Sequence, residues 1–197
     1  GVDSLSDFTI TYDSTNGYIA LTDANGGVIK LKNIENLIVG DYTYTRVSDE
    51  TQQELYADAY WNATEATLYL WDGDSNVGIS NVLNPDFDRA LPGLTKTMDV
   101  TVFGSDGIDY FNLNVNRADD YSGNWTLNMG AGDDNLSAAK LKNGDSIDMG
   151  AGDDTVSIMG NGNYGTPTLD NLNLVKLDGG TGTDTLSFGS LSNTSHT

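Results

Sequence analysis

The stretch MGAGDDTVSI, residues 149–158, decides the fold, because the chain repeats its pattern three more times. The other copies are GSDGIDYFNL (104–113), MGAGDDNLSA (129–138) and GGTGTDTLSF (179–188). Position four is Gly107, Gly132, Gly152 and Gly182; position six is Asp109, Asp134, Asp154 and Asp184; position eight is Phe111, Leu136, Val156 and Leu186. A second apolar set precedes the copies by two residues: Val102, Leu127, Ile147 and Leu177. The pattern predicts strand, turn, strand, four times over.

The residue types in these turns favour a calcium site. Glycine lets the backbone take conformations that a Cβ forbids, so carbonyl groups can turn inward together, and the following aspartate adds a carboxylate. Carbonyl and carboxylate oxygens are hard ligands. The chain has no cysteine and one histidine, so calcium, which accepts six to eight oxygens in flexible geometry, suits the set better than a transition metal.

The turns resemble the calcium-binding nonapeptide of the RTX family, G-G-x-G-x-D-x-U-x, in which U is a large apolar residue. The copy GGTGTDTLS fits every position, whereas Met129 and Met149 take the first glycine slot and Ser105 takes the second in the first copy. The resemblance implies an all-β fold, a right-handed parallel β-roll or β-solenoid, with calcium between neighbouring turns. Four stacked turns leave three gaps, and therefore about three internal calcium ions.

The predicted metal ligands are the glycines and aspartates of the four turns. They are Gly104, Asp106, Gly107, Asp109, Gly130, Gly132, Asp134, Gly150, Gly152, Asp154, Gly180, Gly182 and Asp184. The position-four glycines lie 25, 20 and 30 residues apart, wider than an unbroken nonapeptide array. We therefore expect one calcium-binding turn in each repeat unit and a single row of ions along one edge. The central aspartates, Asp134 and Asp154, would face ions on two sides.

Charge and composition limit the partners. The formal net charge of −20 argues against nucleic acid or an anionic membrane surface as a partner. No stretch is long and apolar enough to cross a membrane, so we expect no membrane insertion. With no cysteine, a secreted chain of this kind would be stabilised by metal rather than by disulfides. Because the chain begins at Gly1 without a methionine, we expect it to be a piece of a longer protein.

Four segments are expected. Residues 1–47 form a β-meander, with strands at 8–12, 18–22 and 28–31, a hairpin turn at Asn16-Gly17, and core residues Ile34, Leu37 and Val39. Residues 48–96 hold a capping helix and a degenerate repeat unit. Residues 97–191 form the calcium-binding repeats, and residues 192–197 a disordered tail.

The capping segment is predicted in two parts. Residues 48–64 lack glycine and proline, begin with acidic residues, and place Leu55, Tyr56, Ala59 and Tyr60 on one helical face. The following segment resembles the repeats without their glycine spacing, with Leu68 and Leu70 before an acidic turn and Val77 and Ile79 after it.

Two features leave sugar binding open as an alternative. Tyr56, Tyr60, Trp61, Tyr69 and Trp71 could stack on sugar rings, although packing in the core explains them more simply. The connections at 116–124 and 160–171, which contain Tyr121 and Tyr164, lie away from the predicted ions and could form a binding face.

The sequence favours a calcium-dependent, extracellular structural module over an enzyme. His196 is the sole histidine, and no catalytic triad, zinc spacing or phosphate loop is present. The repeats are most similar to the RTX regions of bacterial surface-layer proteins and adhesins, which implies type I secretion, a cell-surface location and folding on binding calcium. Copies of the chain and cell-surface polysaccharide are its candidate partners. The alternative is a non-catalytic carbohydrate-binding module, or part of a polysaccharide lyase or epimerase.

Overall fold

The computed structural model describes residues 3–13, 15–47, 59–70, 76–78, 91–95, 97–113, 122–138, 141, 143–158 and 175–188. This part of the chain is all-β. Its one helical element is a single 3₁₀ turn at Leu5–Asp7. No helix within these ranges is long and apolar enough to cross a membrane.

The N-terminal strands follow the alternation of the sequence. Strands β1 (Phe8–Asp13), β2 (Tyr18–Asp23) and β3 (Val28–Leu31) form a three-stranded antiparallel sheet. The β1–β2 turn closes where Asn16-Gly17 predicts it: Gly17 has φ +66° and its N–H donates to the Asp13 carbonyl at 2.7 Å. Strands β4 (Asn36–Val39) and β5 (Tyr42–Val47) continue the antiparallel order in a second sheet. Val39 is buried as expected, but Ile34 is exposed.

The helix predicted over 48–64 is wrong at its C-terminal part. Ala59–Asn62 is strand β6, paired antiparallel with β5 and with β7 (Thr67–Leu70). Tyr60 and Trp61 are adjacent and both buried, on opposite faces of the sheet. In a strand, successive side chains point to opposite faces, so Tyr60 and Trp61 each pack into a different apolar layer. A helix with one apolar face could not place both residues in this way. Residues 48–58 lie outside the described ranges, as do Tyr56 and Trp71.

The repeats supply two sets of parallel strands. One set is β9 (Val100–Phe103), β11 (Trp125–Asn128), β13 (Ser146–Asp148) and β15 (Lys176–Asp178). The other is β8 (Asn76–Gly78), β10 (Tyr110–Leu113), β12 (Asn135–Ala138), β14 (Thr155–Ile158) and β16 (Thr185–Phe188). The first set extends the antiparallel β4–β7 into a mixed eight-stranded sheet, and the second forms a five-stranded sheet.

The register of the parallel strands reproduces the sequence alignment of the repeats. In the eight-stranded sheet Val102 pairs with Leu127, Leu127 with Ile147, and Ile147 with Leu177. In the five-stranded sheet Phe111 pairs with Leu136, Leu136 with Val156, and Val156 with Leu186. The degenerate unit joins the same ladders, because Leu68 pairs with Val102 and Val77 with Phe111. Residues at equal repeat positions therefore stack strand upon strand.

The core lies on both faces of the eight-stranded sheet. Between this sheet and the five-stranded sheet is a continuous apolar cluster that includes Trp61, Leu68, Leu127 and Leu136. On the other face, Tyr44, Tyr60 and Tyr69 pack against the three-stranded sheet. Tyr60, Trp61 and Tyr69 are thus core residues, as the simpler reading of this aromatic cluster predicts.

The last repeat unit exposes positions that the inner units bury. Leu136 is 1% exposed, whereas its equivalent Leu186 is 47% exposed. Leu177 and Phe188 are likewise exposed. Strands β15 and β16 form the edges of their sheets, and no described residue covers their outer side.

This difference predicts unequal costs for the same substitution. Leu136→Ala removes a fully buried side chain and should lower the free energy of unfolding by about 2–5 kcal/mol. Leu186→Ala, at the matching position of the last unit, should cost less than half as much. Denaturant unfolding in buffer containing calcium measures both. Equal losses would mean that Leu186 is buried in solution.

Candidate metal centre

The four glycine-rich turns lie side by side along one edge of the two parallel ladders. Each connects a strand of the eight-stranded sheet to one of the five-stranded sheet, at residues 104–109, 129–134, 149–154 and 179–184. The Ala151 N–H donates to the Gly130 carbonyl at 2.9 Å, and the Thr181 N–H to the Gly150 carbonyl at 2.8 Å. Backbone hydrogen bonds between neighbouring repeat units thus continue from the strands into the turns.

Two glycines in each of the last three turns are required by this close approach. The position-two glycines have φ +97°, +94° and +83°, in the order Gly130, Gly150 and Gly180. A Cβ on Gly150 would also collide with the carbonyl oxygen of Gly130. The glycines at position four, Gly132, Gly152 and Gly182, likewise have positive φ and face the carbonyl of the preceding turn. A side chain at either position would push neighbouring turns apart.

The first glycine slot tolerates methionine for a structural reason. Met129 and Met149 are both fully buried, with their side chains in the cluster between the two sheets. Neither residue has a positive φ. The departure from the glycine pattern therefore extends the core and leaves the turn backbone intact.

The position-six aspartates form a column that links each turn to the one before it. The Asp134 carboxylate accepts a hydrogen bond from the Asp109 N–H at 2.8 Å, and Asp154 accepts one from the Asp134 N–H at 2.8 Å. Asp184 does the same for the Asp154 N–H at 3.2 Å. Asp109, Asp134 and Asp154 are buried, and Asp184 is exposed. The structure therefore brings together the four aspartates that the alignment places at one position.

The hydrogen bonds of the column satisfy only part of each inner carboxylate. One oxygen of Asp134 accepts the N–H described above, while Oδ2 is buried and has no hydrogen-bond partner among the described residues; Asp154 is the same. Burial, together with the nearby charges of Asp109 and Asp154, raises the pKa of Asp134 to about 8, even though the hydrogen bond from the Asp109 N–H lowers it. Burial also raises the pKa of Asp154. A buried, half-satisfied carboxylate is costly unless a proton or a cation neutralises it.

A second column, which the ligand prediction omits, runs the other way. The Asp133 carboxylate accepts from the Asp153 N–H of the following turn at 2.9 Å, and Asp153 accepts from the Thr183 N–H at 2.8 Å. Both aspartates are exposed. Adjacent residues thus reach in opposite directions, Asp133 forward and Asp134 backward. The signal in the sequence was the doubled aspartate of the two MGAGDD copies.

The first turn differs from the other three. Ser105 occupies the second glycine slot, and its N–H and Oγ both bond Asp109 Oδ2, at 2.7 and 3.1 Å. Gly104 and Gly107 do not have positive φ. Asp106 is exposed, unlike the buried Asp109 of the same turn. Of the predicted ligands, those of this turn fit the common geometry least.

The donor set is one of mixed oxygens. Across the described ranges, no three side chains of His, Cys, Asp or Glu converge as a metal-binding group. An ion at the turns would therefore take backbone carbonyl oxygens together with one or two carboxylates. Gly130, Gly132, Gly150 and Gly152 each direct a carbonyl oxygen at the next turn. This set suits a hard cation that tolerates irregular geometry, and calcium fits that description better than magnesium.

Comparison with known proteins identifies no relative. No protein-family model matches the chain, no curated protein matches it, and no solved structure matches it.

Proposed function

We propose that this chain is a calcium-dependent structural module of a secreted protein, of the RTX surface-layer or adhesin type. Its repeats would form a right-handed parallel β-solenoid in which a row of calcium ions joins successive turns. The observation that carries the proposal is the column of buried aspartates, in which Asp134 and Asp154 each keep one carboxylate oxygen without a hydrogen-bond donor.

The energetics of the column support a bound cation. Asp109, Asp134 and Asp154 occupy consecutive turns, and desolvation penalises every charge among them. Removing these charges from water costs several kcal/mol each when no partner is present. A divalent ion between turns would neutralise two carboxylates at once. It would also bind backbone carbonyl oxygens of the glycines, which face the next turn. Binding free energy of this kind is folding free energy, because the unfolded chain has no preformed site.

The two ends of the row would bind more weakly than the middle. Asp184 is exposed, and Asp109 is already bonded by Ser105. The middle gap, between the turns carrying Asp134 and Asp154, combines buried carboxylates with positive-φ glycines on both sides. The expected number of internal ions stays at about three, with the gap next to the first turn the weakest of them.

An extracellular location and secretion in the unfolded state suit this chemistry. At a net charge of −20, a chain without ions is held apart by repulsion among its carboxylates, and calcium converts the same groups into links between repeat units. Folding would then wait until the chain reaches a calcium-rich compartment outside the cell.

Chelation should unfold the repeats. In excess EGTA, the far-UV circular dichroism spectrum of the chain should lose most of the β signal that residues 97–191 contribute. The buried carboxylates would repel one another without a cation. Adding calcium in excess of the chelator should restore the signal, and magnesium at the same free concentration should not. A β-rich spectrum that chelator leaves unchanged would refute the proposal.

The inner and outer aspartates should differ in their contribution. Asp154→Ala removes a buried ligand between two turns and should weaken calcium-induced folding by roughly tenfold or more in calcium concentration. Asp184→Ala, at the exposed end of the column, should have the smaller effect. Calorimetric titration of both variants measures this. A larger loss at Asp184 would mean that the assignment of the gaps is wrong.

Asp134→Asn should act in opposite directions with and without calcium. The amide keeps an oxygen acceptor for the Asp109 N–H but carries no charge, so in chelator the variant should retain more structure than the wild type. In calcium it should gain less stability, because the ion loses a charged ligand. Chemical denaturation under both conditions gives the two differences. A variant less stable than wild type in chelator would show that the charge of Asp134 is not the source of the calcium requirement.

A further inference from the structure

The outward side of the five-stranded sheet is uncharged along strands β12, β14 and β16, although the protein is strongly acidic. Strands β12, β14 and β16 each present two side chains there, and these stand in register. They are Asn135, Ser137, Thr155, Ser157, Thr185 and Ser187, which we call the neutral face. The intervening Leu136, Ala138, Val156 and Ile158 point into the core. The whole face carries hydroxyl and amide groups only.

The opposite sheet shows that this neutrality is specific to one face. The outward positions of the eight-stranded sheet are mixed, with charged Asp148, Lys176 and Asp178 beside neutral Thr126, Asn128 and Ser146. The chain has 29 acidic residues and 9 basic ones, and none of them falls on the neutral face. Asp133 and Asp153 are exposed at the turns that border it, so an anionic polymer approaching the face would be repelled there.

An exposed aromatic side chain adjoins the same face. Tyr110, on strand β10, pairs with Asn135 on one side and with Asn76 of β8 on the other, and so belongs to the column that continues through Thr155 and Thr185. Its side chain is 45% exposed, unlike the tyrosines of the core. A tyrosine presents an apolar ring with a polar edge, which is a surface on which the C–H face of a sugar ring can pack.

We propose that the neutral face, with Tyr110, binds an extended, uncharged polysaccharide. Hydrogen-bonded strands lie about 4.8 Å apart, so the hydroxyl columns repeat at that interval, comparable to the advance of an extended β-1,4-linked chain per sugar. From β10 to β16 the face spans roughly 14 Å, three such intervals. A polysaccharide lying across the strands would meet a hydroxyl or amide pair at each step and the Tyr110 ring at one end. Absence of charge removes the penalty of desolvating an ion beneath a neutral sugar.

Under the proposed function calcium keeps these strands folded, whereas the ligand of the neutral face is assigned from the outward side chains of the strands and not from the ion at the turns. The neutral face is a different surface from the loops at 116–124 and 160–171 that the sequence suggested for sugar binding. Tyr121 and Tyr164 of those loops lie outside the described residues. The face itself is built entirely from strands.

Retention on insoluble polysaccharides tests the proposal. The intact chain in calcium-containing buffer should sediment with cellulose or chitin, and alginate beads, which are anionic, should not retain it. Ser157→Glu places a charge at the centre of the neutral face and should lower the bound fraction by about tenfold or more. The matched control is Ser146→Glu, which adds the same charge to the outward side of the eight-stranded sheet and should bind as the wild type does.

A second pair of variants addresses the aromatic contact. Tyr110→Ala should weaken retention severalfold, whereas Tyr110→Phe should preserve it, because the ring supplies the packing. Circular dichroism in calcium checks that every variant is folded. If Ser157→Glu does not fold, the comparison of Tyr110→Ala with Tyr110→Phe tests the proposal instead. The proposal fails if neither cellulose nor chitin retains the wild type, if alginate retains it better, or if both glutamate variants lose binding equally.

Discussion

The burial of aspartate carboxylates between stacked turns is the constraint on which the repeat region depends. Asp134 and Asp154 each use one oxygen to hold the backbone of the preceding turn and leave the other buried without a donor. The turns can come this close only because glycines stand where a Cβ would strike a carbonyl. Close stacking therefore creates both the hydrogen bonds between units and the buried, half-satisfied carboxylates.

The same constraint opposes the stabilisation that the apolar core provides. The apolar cluster between the two sheets runs through all the inner units, so burial favours the stack throughout its length. Each unit that joins the stack also adds a desolvated carboxylate, however, and the cost of that charge opposes the gain from the apolar residues. A cation at the turns would shift this balance. The core and the turns thus act together, and neither fixes the stability by itself.

Much of this arrangement could be read from the sequence. The alignment of four copies fixed which residues pair, since a slip of one residue would turn Leu136 and Val156 out of the core. The C-terminal part of the helix predicted over 48–64 was wrong because local composition could not reveal that residues 59–62 would lie between two apolar layers. That position favours a strand, in which the adjacent Tyr60 and Trp61 are both buried. The forward contact of Asp133 was also hidden, because its partner lies 20 residues away in the next turn. Contacts that depend on the spacing of neighbouring units cannot be derived from one unit.

The paired aspartates at each inner turn give the stack a direction as well as cohesion. Because Asp133 bonds the following unit and Asp134 the preceding one, every inner unit offers a different surface on each side, and each surface matches that of its neighbour. An additional copy of residues 129–148 placed next to the original would find both surfaces already complementary. It would add one rung to each sheet and one carboxylate to each column. The architecture can therefore grow by tandem duplication of a single unit, and the varied 25-, 20- and 30-residue spacings of the present copies show that the connections away from the turns can change length without altering the register.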